Sequence, residues 1–154
     1  MRALVVLLSL LALTGCSLLG LDGSDDTRRD VFRYTAYDDG DAVVVTGTLR
    51  IGGIPSASAE EPAPLVGSWT LVATSAEVGP QDGEGSLVGT YQDSVEGPLL
   101  SIDLHPENAD DNVGLAGRLV DDGARIEGTW QHVGFAGPIA AGRFEAVRTA
   151  SADR

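Results

Sequence analysis

From Val31 to Arg148, apolar and polar residues alternate with a period of two rather than 3.6. That rhythm belongs to half-buried strands, because successive side chains of a strand point to opposite faces. It predicts eight strands, over 31–38, 42–51, 65–75, 84–93, 97–104, 112–120, 124–132 and 141–148. The segments between them carry turn chemistry. Asp38-Asp39-Gly40-Asp41 and Asp121-Asp122-Gly123 suit tight turns, since Asp and Gly tolerate the positive φ that hairpins require. Residues 52–64, rich in Gly, Pro, Ala and Glu, read as a longer exposed loop.

The alternation assigns faces. One face carries Phe32, Tyr34 and Ala36, then Val43, Val45, Leu49 and Ile51, then Leu65, Trp69 and Leu71. It continues through Leu87, Tyr91, Leu100, Ile102, Leu104, Val113, Leu115, Ile126, Trp130, Phe144 and Ala146. The other face carries Thr46, Arg50, Ser68, Thr70, Thr90, Arg118, Glu127, Thr129, Gln131, Arg143 and Glu145. One dry and one wet face point to an antiparallel sheet.

A weak repeat runs along the dry face, as glycine followed two places on by a bulky residue. It occurs at Gly47/Leu49, Gly67/Trp69, Gly89/Tyr91, Gly117/Leu119, Gly128/Trp130 and Gly142/Phe144. A strand glycine weakens its strand unless something uses the missing side chain. Small–large alternation on an inner face is how small barrels fill their taper. The expected fold is therefore all-β: an antiparallel eight-stranded up-and-down barrel, with a two-sheet β-sandwich as the alternative.

The N-terminus follows a different rule. Ala3–Leu13 is apolar except for Ser9 and comes after Arg2. Eleven residues are too few to cross a bilayer as a helix, which takes about 20, and fit the core of an export signal. The run ends in Leu13-Thr14-Gly15-Cys16. This motif resembles the lipobox of bacterial lipoproteins. The resemblance implies cleavage after Gly15, lipid on the Cys16 thiol and acylation of the new amino terminus. Each buried methylene contributes about 0.8 kcal/mol, so several acyl chains would make the attachment nearly permanent. Residue 17 is Ser rather than Asp, which in that family leans toward the outer membrane. The expected organisation is a signal peptide over 1–15, a lipidated tether over 16–30, one domain over 31–148 and a disordered tail over 149–154. The expected location is the cell envelope.

Composition narrows the partners. Cys16 is the only cysteine, so its lipidation leaves no intrachain disulfide. The sequence has no lysine, and cleavage would remove Arg2, leaving nine arginines against 23 acidic residues and a net charge of −14. Such a chain is repelled by nucleic-acid phosphates, so nucleic acid is excluded as a partner. The acidity suits a salt-adapted surface, and equally a compositional bias toward Arg and Asp.

Leu65-Val66-Gly67-Ser68-Trp69-Thr70 and Gly89-Thr90-Tyr91 resemble the G-x-W and G-T-Y segments of lipocalin-like and avidin-like barrels. In lipocalins the G-x-W lies on the first strand, whereas here two predicted strands precede it. Only Tyr91 matches a position with which avidins hold biotin. The resemblance thus implies an architecture rather than that ligand.

Catalytic chemistry finds little material. His105 and His132 are the only candidate neutral-pH bases, and both read as rim residues. No G-x-S-x-G elbow is present. The oxygen-rich segment Glu107–Asn112 does not follow the EF-hand spacing. No enzyme activity, metal or cofactor is expected. The remaining candidate site is the dry face: Tyr34, Trp69, Tyr91, Trp130, His132 and Phe144, with inner glycines opening space beside them. Two readings stay open. In the first, the barrel holds a small apolar ligand. In the second, a filled barrel docks another envelope protein. In both, the Cys16 lipid holds the protein to a membrane.

Overall fold

A computed structural model describes residues 29–56, 59, 61–74 and 78–151. The expected signal peptide, Cys16 and the tether up to residue 28 lie outside the described residues. Eight strands follow one another: β1 (Arg29–Tyr37), β2 (Val43–Gly52), β3 (Ala63–Ala73), β4 (Gly83–Gln92), β5 (Leu99–Asp103), β6 (Asp111–Val120), β7 (Arg125–Gly134) and β8 (Gly137–Ser151). Each pairs antiparallel with its neighbours in sequence, and β8 returns to pair with β1. The sheet is a closed up-and-down barrel, and closure leaves no unpaired edge. The sandwich alternative is thereby set aside.

The dry face is the barrel interior. Phe32, Tyr34, Leu49, Ile51, Leu65, Trp69, Leu115, Ile126, Trp130 and Phe144 are all buried within it. Val43 departs from expectation and is 44% exposed, while Val44 and Val45 are both buried. The cause is a bulge. Tyr37 pairs with Val43 but Ala36 with Val45, so one extra residue on β2 turns Val43 outward.

The turns follow the expected chemistry. The Asp38 carboxylate accepts the Gly40 and Ala42 amides at 2.8 and 2.9 Å. Asp41, Asp121 and Asp122 adopt φ of 62°, 53° and 53°.

The domain is longer than expected at both ends. Arg29 and Asp30, assigned above to the tether, belong to β1, and β8 runs on through Ser151 because Asp30 pairs with Ser151. Strand β8 also starts four residues earlier than 141, in a hairpin where Gly134 pairs with Gly137.

The barrel has two unlike ends. The first, the termini end, holds the start of β1, the end of β8 and loops 53–62, 93–98 and 121–124. The second, the far end, holds the 38–42 turn, loops 74–82 and 104–110, and the β7–β8 hairpin.

Candidate functional site

All six interior candidates are buried, and their polar atoms are bonded within the protein's own chain except His132 Nδ1, which is buried without a hydrogen-bond partner. The Trp69 indole donates to the Leu104 carbonyl at 2.7 Å and the Ser86 carbonyl at 3.2 Å. The Trp130 indole donates to the Tyr37 carbonyl at 2.9 Å. The Tyr91 hydroxyl donates to Asp93 at 2.9 Å at the termini end. Phe144 packs against Tyr34 with ring centroids 5.6 Å apart. The Nε2 of His132 sits 2.6 Å from Asp111 Oδ1. A buried Tyr or Trp needs a partner for its polar atom, and here the fold supplies it.

Sequence reasoning missed the group that closes the far end. Within the β3–β4 loop, Val78 is buried and Gln81 is fully buried. The Gln81 amide donates to the Val78 carbonyl at 2.9 Å and accepts the Tyr34 hydroxyl at 3.3 Å. His105 donates to the Pro80 carbonyl at 2.6 Å, and its ring meets Trp69 edge-on at 5.1 Å. Gly79 lies against the His132 ring, at φ 71°. Both histidines therefore hold the loop that plugs the barrel. Nothing in Gly79-Pro80-Gln81-Asp82-Gly83 marks it as buried, because its composition is that of an exposed turn.

The inner glycines do not open space, contrary to expectation. A Cβ on Gly128 would strike the Ala116 carbonyl and the Gly117 Cα. A Cβ on Gly89 would strike the Ser101 carbonyl. Curling a sheet into a small barrel brings neighbouring backbone over these positions, and only glycine leaves room for it. The glycines are contacts between strands.

Two environments shift tyrosines upward. Burial pushes the Tyr34 hydroxyl far above its ordinary range. For Tyr91, burial acts first and the bond to Asp93 second.

The described hollows each reach core residues from one side: Leu100 and Phe144 line the first, Tyr91 the second, and Val44, Val78 and Trp130 the third. One, of about 740 Å³, lies on the outer wall between Thr90, Ser101, Ala116, Arg118, Glu127 and Arg143. Another of similar volume opens at the termini end beside Tyr91, Asp93, Asp121 and Arg148. A third, of about 560 Å³, lies at the far end between the 38–42 turn and β8. Among the described residues, no group of three or more His, Cys, Asp or Glu is placed to hold a metal ion, and no helix is long and apolar enough to cross a membrane. At the base of the oxygen-rich Glu107–Asn112 segment, Asp103 accepts the His105 amide at 2.8 Å and the Asn112 side chain at 3.0 Å. In comparisons with known proteins, no family model and no curated protein matches the chain.

Proposed function

We propose that this protein is a lipid-anchored envelope lipoprotein that works through the outside of a filled barrel, as a docking module for another envelope protein. The observation that carries this reading is the closed interior. Its aromatic polar atoms bond to the chain itself, its glycines are covered by neighbouring backbone, and Gln81 occupies the middle of the far end. A ligand-holding barrel of the kind the lipocalin resemblance implies needs apolar space with a few free polar groups. Here the interior indole and phenol groups are engaged, and the one unpartnered atom among the candidates, His132 Nδ1, lies against Gly79 of the far-end loop. Function then falls to the outer surface and to the anchor on Cys16.

The anchor is tested by labelling cells with palmitate and fractionating them. The wild-type chain takes up label and sediments with membranes, while Cys16→Ser does neither. A Cys16→Ser chain that is processed normally and stays membrane-bound overturns the lipoprotein reading.

A further inference from the structure

The β7–β8 hairpin breaks the rule that governs the rest of the surface. Val133 to Gly142 is a run of ten residues without one polar side chain. At its tip Phe135 is 90% exposed, and Ile139 is 62% exposed. The turn does not need them. Gly137 carries the positive φ, 116°, and a phenyl ring contributes nothing to that geometry. Ile139 lies across Gly134, where a Cβ would meet its Cδ1. Ile139, Ala140 and the out-turned Val43 line the hollow at the far end. The result is an exposed apolar ridge beside a hollow that Asp38, Asp39 and Thr74 also line.

Acidic turns flank the ridge on both sides. The 38–42 turn brings Asp38, Asp39 and Asp41 along one side of the hairpin, and Asp38 and Asp39 line the same hollow as Ile139. On the other side, loop 104–110 and the start of β6 bring Glu107, Asp110 and Asp111, the last paired with Gly134. Among the described residues, the only arginine–carboxylate ion pair at this end is Arg143–Asp41 at 2.8 Å, and His132 Nε2 lies 2.6 Å from Asp111 Oδ1. An exposed apolar patch with a charged rim is the form of an interaction site. The sign of the rim selects the occupant. A second copy would set acid against acid, since the chain has a net charge of −13 and no lysine. An anionic bilayer would be repelled in the same way.

Resting on the docking-module reading, we infer that the far end docks a protein segment whose apolar residues are flanked by Lys or Arg, with Phe135 and Ile139 as its anchors. This end lies opposite the one where β1 enters the barrel. A barrel tethered from its N-terminal side would present it away from the membrane.

The test uses the full lipidated chain in phosphatidylcholine nanodiscs, with fluorescent peptides as probes. The probes are a Leu/Lys peptide, a Ser/Lys peptide of equal charge and a Leu/Glu peptide of equal apolarity. Binding is read by anisotropy against empty discs. The Leu/Lys peptide is expected to bind, and the other two at least tenfold more weakly. Phe135→Ser with Ile139→Ser should weaken Leu/Lys binding at least tenfold, and Asp39→Asn with Asp110→Asn severalfold, with circular dichroism and melting unchanged. Equal binding by the Ser/Lys peptide, or by the Phe135/Ile139 variant, overturns the inference. So does self-association, or adsorption to anionic vesicles, that depends on Phe135. If Val66→Ser with Val88→Ser abolishes binding and the hairpin variant does not, the docking site lies on the outer wall. That outcome defeats this inference and leaves the docking-module reading standing.

Discussion

The Tyr34 hydroxyl meets the Gln81 amide oxygen at 3.3 Å across 47 residues of sequence, and so ties β1 within the barrel to the loop that plugs its far end. Removing either partner strands the other in a buried place, which costs about 1–3 kcal/mol. Tyr34→Phe is expected at the low end of that range because the bond is long, and Gln81→Ala at the high end because it also leaves a void. Urea denaturation of both variants and their combination measures the coupling. The double variant should lose less than the sum of the singles. Strict additivity would show that the two groups do not depend on each other.

Alkaline pH should find the same tyrosine. Its folded-state pKa lies far above the ordinary value of about 10 that it regains on unfolding. Below pH 10 the hydroxyl is neutral in both states and contributes no pH dependence. Above pH 10 the unfolded chain releases that proton and the folded one does not, so stability falls as pH rises, by about 1.4 kcal/mol per pH unit for one group. Tyr34→Phe should flatten the slope of stability against pH between 10 and 11. An unchanged slope would place the Tyr34 hydroxyl in contact with water.

Gly128 tests the packing of the wall. A side chain there meets the Ala116 carbonyl and the Gly117 Cα rather than open space. Gly128→Val is therefore expected to overpack the barrel and cost about 1–3 kcal/mol or more, and Gly128→Ala to cost less. A Gly128→Val protein as stable as the wild type, by urea denaturation, would mean that the interior has room.

The termini end is held by charge. Asp30 is buried and meets Arg148 Nη1 at 2.6 Å, while Arg148 also donates to the Gly123 carbonyl at 2.8 Å and lies 5.1 Å from the centre of the Phe32 ring. Removing one member of a fully buried pair costs about 3–5 kcal/mol. The Arg148 side chain is 26% exposed, so Arg148→Met should cost about 2 kcal/mol after solvent screening. The loss should appear as faster hydrogen exchange in the last residues of β8. Equal exchange in variant and wild type would show that backbone pairing with β1 suffices.

Most of the barrel was legible because a closed sheet has one dry and one wet side, and the period-two pattern reports that difference directly. It failed where the pattern itself was absent. The alternation places Val43 in the interior, because nothing in Val43-Val44-Val45 marks which residue a bulge will turn outward. The start of β8 was missed because Gly137–Ala141 is apolar on both faces, so no alternation announces a strand. The inner glycines stand out as a repeat, but the repeat alone does not give their meaning. A missing side chain reads equally as empty space or as close backbone approach, and only the closed geometry decides. Gln81 left no trace, since polar residues in Gly- and Pro-rich loops are ordinarily exposed. The interior aromatics were found because large apolar side chains on a dry face have nowhere else to go. Apart from Asp93, two residues from Tyr91, their hydrogen-bond partners lie 17 to 93 residues away, beyond any local pattern.

The central claim is that the interior is filled, and its most direct measurement is the melting temperature of the full chain with saturating apolar dyes and fatty acids. The account predicts no stabilisation of the wild type, and none in Phe135→Ser. A ligand at a hundred times its dissociation constant stabilises its binding state by about 2.7 kcal/mol. A rise of that size in the wild type, kept in Phe135→Ser and lost in Gly128→Val, would place the ligand inside the barrel and contradict the account.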